Sequence, residues 1–259
     1  MILIKLGGSV ITDKTQYRTF NREAVRRLCG EIRDSGASVI IVHGAGSFGH
    51  VVAKEHSLQN GSASPTQIPA VARVQYDVRE LNLMVIDELL NAGIPAVSVP
   101  PGSCFMMDNG KLLLDSPEVL LSASQLGIMP VMFGDVVFDK SKGFGICSGD
   151  QIMETLCGIY RPERVVFVSD IDGLFEKDPK TNPDSKMLSE VTPELLGGVS
   201  SYSSVDDVTG GVRAKMEAML RMTSSERDCV LVNGSVKGRL YSLLKGESVI
   251  STTAKGGLR

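Results

Sequence analysis

A chain of 259 residues with 42% hydrophobic and 22% charged side chains has ordinary globular make-up and enough length for one large α/β domain. A formal net charge of −3 without runs of like charge excludes a binder of nucleic acid or anionic membrane driven by bulk electrostatics. Five cysteines (Cys29, Cys104, Cys147, Cys157 and Cys229) form no CxxC pair, which argues for reduced thiols and against a zinc site or disulfide framework, and no metal site of protein ligands is expected.

The first predicted element is a strand, Ile2–Leu6. It starts at once, and Lys5 interrupts its apolar run, so no leader peptide is expected. No apolar stretch approaches the roughly 18 residues of a spanning helix. The expectation is a soluble, cytoplasmic protein. A glycine turn, Gly7-Gly8-Ser9, follows the strand. Glycine lets backbone N–H groups converge on an anion with no Cβ in the way, and a helix starting there adds its positive end.

Next, Asn21 can cap a helix whose apolar residues Val25, Leu28, Cys29 and Ile32 share one face, with Gly36 to end it. The strand Ser38–His43 leads into a second glycine-rich turn, Gly44-Ala45-Gly46-Ser47-Phe48-Gly49-His50. Two such cradles in one chain point to two phosphate groups held near each other. The polar stretch Ser57–Thr66 reads as a surface loop. Val71, Val74, Val78, Leu81 and Val85 then mark a long helix that stops near Gly93.

Strands are predicted at Ala96–Val99, Met129–Phe133, Val165–Ser169 and Cys229–Val232, with hairpins centred on Asp108-Asn109-Gly110 and Asp139–Gly143. Ser200–Val208 reads as another loop, and Asp178-Pro179 with Asn182-Pro183-Asp184 as a rigid excursion. The strands are rich in Val and Ile and lack polar alternation, as parallel strands covered on both faces require. The repeating βα order predicts an α/β protein: an open, mainly parallel sheet between helix layers, in one domain with two functional halves.

Gly44-x-Gly46-x-x-Gly49 also fits a dinucleotide-binding fingerprint. That motif wants a second strand ending in an acidic residue about 20 positions further on. Here a polar loop runs into the long helix instead, and Asp77 and Glu80 fall in mid-helix, which argues against an oxidoreductase. No GxxxxGK[ST] loop and no protein-kinase signature is present.

Five blocks stand in order: Lys5–Ser9, His43–His50, Ser148-Gly149-Asp150, Asp170-Ile171-Asp172-Gly173-Leu174-Phe175, and Asp206-Asp207-Val208-Thr209-Gly210-Gly211 with Lys215 four residues on. Together they resemble the amino acid kinase family over nearly the whole chain. Within it, His50 directly after Gly-Ser-Phe-Gly is most similar to the branch that acts on isopentenyl phosphate, and the branch acting on fosfomycin is similar as well. A nucleotide-binding regulator without catalysis is the non-enzymatic alternative.

The resemblance implies a three-layer α/β/α sandwich, a homodimer, and transfer of a phosphoryl group from ATP to isopentenyl phosphate with magnesium carried by the nucleotide. The N-terminal half would hold the acceptor and the C-terminal half ATP. It further implies that Lys5 reaches the β- and γ-phosphates above Gly7, Gly8 and Ser9, and that Lys14 steadies the transferring group. Lys215 would reach ATP from the helix opened by Gly210-Gly211, and Asp150, beside Gly149, would orient the ammonium groups. His50 would donate to the acceptor phosphate with the amides of Ala45, Gly46 and Gly49, Gly149 would lie on the acceptor side as well, and Gly46 would also border ATP. Asp170, Phe175 and Lys177 would border ribose and base, although a strand-ending turn explains that segment equally well. His43 and His56 read as structural. A wall for an apolar acceptor tail could come from Val74, Val78, Leu81 or Met84, although the stripe reads more readily as ordinary helix-to-sheet core.

Overall fold

The structure is a computed structural model that describes all residues except 14, 115, 178–181, 183, 198–210 and 256–259. From the N-terminus, β1 (Ile2–Leu6) runs into a one-turn helix, α1 (Gly8–Ile11). In α2 (Arg22–Ser35) the Asn21 side chain accepts from the Ala24 amide at 3.3 Å, and Gly36 ends the helix with a φ of 66°. The fully buried β2 (Val39–His43) is followed by α3 (Gly46–Glu55). The segment before the long helix α4 (Ile68–Asn91) is more packed than a polar loop: Leu58 is fully buried within it, and Ser64 and Gln67 form a capping box.

After β3 (Ala96–Ser98) and the short α5 (Pro101–Cys104), β4 (Phe105–Asp108) and β5 (Lys111–Leu114) make a hairpin. Its turn residues Asn109 and Gly110 both have positive φ (50° and 81°), as a tight two-residue connection demands. Then come α6 (Glu118–Gln125), β6 (Met129–Phe133), the hairpin of β7 (Asp135–Asp139) and β8 (Gly143–Cys147), and α7 (Gly149–Tyr160) with a Ser148/Gln151 capping box. The remainder comprises β9 (Arg164–Ser169), short strands β10 (Leu174–Phe175), β11 (Met187–Leu188) and β12 (Glu190–Val191), then α8 (Gly211–Arg221), β13 (Asp228–Asn233), α9 (Arg239–Leu244) and β14 (Ser251–Ala254).

Among the described residues, eight strands form one sheet in the order β12-β14-β13-β9-β1-β2-β6-β3. Its pairings are parallel apart from β13 with β14. Alternation along each strand sorts side chains to two faces. Leu3, Val42, Met132, Val165, Phe167 and Leu231 pack with α7 and α8, whereas Ile4, Ile41, Val131, Val166 and Val232 pack with α2, α4 and α9. This is the expected α/β/α arrangement. The two hairpins join into a second sheet, β5-β4-β7-β8, through Met107 and Asp139.

This topology places the site. From β1 the chain order moves outward in both directions, to β2 on one side and β9 on the other, so a crevice opens at the carboxyl ends of these strands. Both glycine turns and Asp170 follow those ends directly, and Gly234 follows β13 beside β9. An open cleft of about 570 Å³ lined by Ile2, Arg164 and Asp228 lies at the opposite, amino ends, away from this crevice.

Candidate active site at the carboxyl ends of the strands

The two glycine turns touch. A Cβ added to Gly8 would lie 2.7 Å from Gly46 Cα, and one added to Gly44 would lie 2.7 Å from Gly8 N, so side chains here would force the turns apart. The register carries them together: β1 and β2 are paired up to Leu6 and His43, and the Gly44 amide then donates to the Leu6 carbonyl at 2.9 Å. Gly46 has a φ of 51°, a conformation open to glycine and costly for other residues.

Two expected donors are already engaged. The Gly7 amide donates to the Val168 carbonyl at 2.8 Å, extending the β1–β9 ladder by one step, and the Gly49 amide donates to Ala45 within α3 at 3.2 Å. These glycines give the backbones room to approach. Among the described residues, no hydrogen bond takes up the amides of Gly8, Ser9, Ala45 or Gly46. The helix after the first turn is also too short to build a dipole, because α1 has four residues and stops at Thr12. That turn therefore offers individual amides rather than a helix dipole.

Lys5 lies on the same face of β1 as Leu3, which directs it toward α7 and α8. Its ammonium donates to Asp150 Oδ1 at 2.5 Å, and Lys215, from α8, donates to Asp150 Oδ2 at 3.1 Å. One carboxylate therefore holds two cations and leaves the cluster net positive. Burial alone would raise the Asp150 carboxyl, but the charges of Lys5 and Lys215 outweigh it and hold the group well below the usual carboxylate range. The Phe167 ring, paired in register with Lys5, lies beneath both ammonium groups, at 5.7 Å from Lys5 Nζ and 4.5 Å from Lys215 Nζ. Gly149 leaves space for the lysine stem: a Cβ there would sit 3.0 Å from Lys5 Cε. It touches the lysine more directly than the acceptor side to which the resemblance assigns it.

Ser9 donates to Asp170 Oδ1 at 2.6 Å, linking the first turn to the end of β9 beside a cavity of about 500 Å³ that both residues line. Phe175 is half-buried on β10. Asp172, two residues past Asp170, accepts from Asn233 at 3.0 Å and from Arg239. Lys14 and all of residues 198–210 lie outside the described residues, including the Ser200–Val208 loop and Asp206-Asp207-Val208-Thr209-Gly210, as do residues 178–181 and 183 of the excursion; Gly211 opens α8 as expected.

The histidines flanking the second turn differ. His43 is fully buried and stacked on Phe133 with ring centroids 5.4 Å apart. Its Nδ1 lies 2.9 Å from the Gly44 carbonyl, which can only accept, so Nδ1 carries the proton and Nε2 accepts from Asn82 Nδ2 at 3.1 Å. Burial pushes its pKa down to about 4, against a smaller opposite effect of the Gly44 bond. It is a structural residue, as the sequence indicates. His50 is half-buried on α3. The Val74 and Val78 side chains of α4 pack behind the turn, with a Gly49 Cβ position 3.1 Å from Val78 Cγ1, whereas Leu81 and Met84 join the core over β1 and β2.

Two features escaped the sequence. Phe167 reads there as one more apolar strand residue, and only its pairing with Lys5 reveals the ring under the cations. Thr12 bonds both turns, which no local pattern announces.

The crevice thus combines two abutting anion cradles with two ammonium groups tied to one carboxylate, the arrangement of a phosphoryl-transfer fold. The chain belongs to the amino acid kinase family, whose model matches residues 1–233. It is 36% identical over 257 residues to the isopentenyl phosphate kinase of Thermoplasma acidophilum, covering 98% of this chain and 100% of that one. The isopentenyl phosphate kinase of Methanothermobacter thermautotrophicus is 34% identical over 99% of both chains. A crystal structure of isopentenyl phosphate kinase superposes with a TM-score of 0.84 at 32% identity, covering 98% of this chain and 99% of the other.

Proposed function

We propose that the protein transfers the γ-phosphoryl group of ATP to isopentenyl phosphate, giving isopentenyl diphosphate and ADP. The observation that carries this reading is the contact between the two glycine turns beside the Lys5–Asp150–Lys215 cluster. Similarity to the two archaeal isopentenyl phosphate kinases over almost the full chain supports the choice of acceptor.

The chain acts as one domain with two halves. The β9–β13 side, with Gly8, Ser9, Asp170, Phe175, Gly210, Gly211 and Lys215, takes ATP. The β2–β6 side, with Ala45, Gly46 and His50, takes the acceptor phosphate, and the Val74–Val78 wall lies toward its apolar tail. Repulsion between two polyanions is the main obstacle, and Lys5 and Lys215 offset it without a general base, because an acceptor phosphate with a second pKa of about 6 is already largely a dianion at neutral pH. Lys14 is assigned to the transferring group, so Lys14→Ala should cut turnover strongly while ligand affinities measured by calorimetry stay near normal. Magnesium carried with ATP would be held by the nucleotide and would supply positive charge against the charge that develops during transfer.

Two copies pair through α4, where Tyr76, Leu83 and Leu90 recur every seven residues and are 61%, 62% and 54% exposed. Sedimentation of the wild type against Leu83→Glu tests that pairing. Five free cysteines fit a reducing, cytoplasmic setting; among the described residues no helix is long and apolar enough to cross a membrane. Incubation with magnesium-ATP and a panel of phosphorylated acceptors, fosfomycin included, tests the reaction. Isopentenyl phosphate should turn over fastest. Brisk turnover of another acceptor alone would end the substrate assignment, and ATP binding without ADP release would end the catalytic one.

A further inference from the structure

Thr12 stands at the end of α1, 2% exposed. Its hydroxyl donates to the Gly8 carbonyl at 2.7 Å and accepts from the Ser47 amide at 3.0 Å. Gly8 belongs to the first glycine turn, and Ser47 directly follows Gly44-Ala45-Gly46 of the second. One hydroxyl therefore bonds both cradles. A steric counterpart lies beside it: a Cβ on Gly46 would come within 2.2 Å of Thr12 Oγ1, so the second turn packs its bare backbone directly on this side chain.

Ending α1 does not require this hydroxyl. The Thr12 amide already donates to the Gly8 carbonyl at 2.9 Å, and that bond closes the helical turn. What the hydroxyl adds is the link to α3. With its single proton committed to Gly8, a lone pair is left for Ser47, and the orientation of each bond fixes the other. The β1–β2 pairing ends at Leu6 and His43; beyond the Gly44 amide's bond to the Leu6 carbonyl, the side-chain link through Thr12 joins the two turns directly. A second, longer one runs from the Thr19 amide to Ser47 Oγ at 3.3 Å.

We propose that Thr12 is a positioning residue that sets the spacing of the two phosphate-binding turns, and through it the distance between phosphoryl donor and acceptor. The proposal rests on the phosphoryl-transfer reading above. A residue of this kind affects the encounter of two bound reactants more than the binding of either one.

The test compares Thr12→Val, which keeps the shape and loses the hydroxyl, with Thr12→Ser, which keeps the hydroxyl. In Thr12→Val, Kd values for magnesium-ATP alone and isopentenyl phosphate alone should stay within about threefold while kcat falls on the order of 10²-fold, the effect of misplacing reactants by about an ångström. Thr12→Ser should recover most of kcat. Amide hydrogen exchange at Ser47 should be faster in Thr12→Val and near wild type in Thr12→Ser. If Thr12→Val does not fold, Thr12→Ala takes its place in every arm. Unchanged kcat, Kd losses that account for the whole defect, or a serine variant as impaired as the valine one would each overturn the proposal. Should the wild type use a different acceptor, the substrate assignment fails and the kinetic arm runs on that acceptor. Should it use none, unaltered Ser47 exchange in Thr12→Val would still overturn the link.

Discussion

The two glycine turns share a backbone device and differ in what stands behind them. Behind Gly7-Gly8-Ser9 are charges: Lys5, Lys215 and Asp150 on one side, Asp170 on the other. Behind Gly44-Ala45-Gly46 is an apolar wall of Phe133, Val74 and Val78, with His43 buried and uncharged inside it. Bare amides can hold a phosphate in either place. The surroundings then decide the role, because mobile cations suit a group whose charge shifts during transfer and an apolar wall suits an acceptor with a hydrocarbon end.

The largest expected effect breaks the charged side. Lys5→Met keeps the apolar stem and removes the ammonium, so kcat should fall by roughly 10² to 10³-fold, the range for deleting one preorganised electrostatic contact. Steady-state kinetics with both substrates varied would check it, and a loss confined to the acceptor KM would reverse the assignment of the two turns. His50→Ala tests the other side. It should raise the acceptor KM by about 10- to 100-fold, as removal of a hydrogen bond to a charged group does, with the ATP KM nearly unchanged. Equal losses for both substrates would merge two sites that the reading keeps apart.

Much of this was legible because strands and turns carry local marks. Ile2–Leu6 and Met129–Phe133 are strands with the expected bounds, and Asn21, Gly36 and Asn109-Gly110 act as punctuation. What remained hidden depends on distant partners. β14 reads Ser-Thr-Thr-Ala, has no apolar pattern, and exists because it pairs antiparallel with β13. The joining of two hairpins into one sheet rests on Met107 meeting Asp139. The engaged amides of Gly7 and Gly49 followed from the ladder and the helix that continue past the motif, which glycine spacing alone does not report.

A third prediction concerns the buried histidine. Its pKa falls from 6.5 to about 4, so the unfolded chain binds more protons than the folded one between those values, and stability should rise with pH across that window by on the order of 2–3 kcal/mol. Asp135 opposes it. Burial raises its pKa to about 6, against the pull of Arg79, so the folded chain binds more protons between 3.8 and 6 and loses stability as pH rises there. The wild type should therefore show a shallow dependence between pH 4 and 6. His43→Asn leaves Asp135 unopposed, and denaturant midpoints for this variant should decline with rising pH over that range. A decline no steeper than that of the wild type would mean that His43 is not held neutral in the folded protein, and a rise in the variant would mean that burial does not raise Asp135.

The smallest effect separates charge from packing within the first turn's surroundings. The Phe167 ring is 3% exposed and lies under both ammonium groups, so its negative face adds to the attraction that gathers them. Phe167→Leu keeps an apolar side chain in the core and removes that face. A partly desolvated cation–π contact of about 1 kcal/mol corresponds to a loss of roughly fivefold in kcat/KM for ATP. Packing alone could lower activity by a similar amount, so the informative measurement is a cycle with Lys215→Met, whose ammonium is nearer the ring than that of Lys5. If the ring acts through charge, Phe167→Leu should cost much less in the Lys215→Met background than in the wild type. If the cost is the same in both, the ring serves the core and the lysines are placed by Asp150 alone.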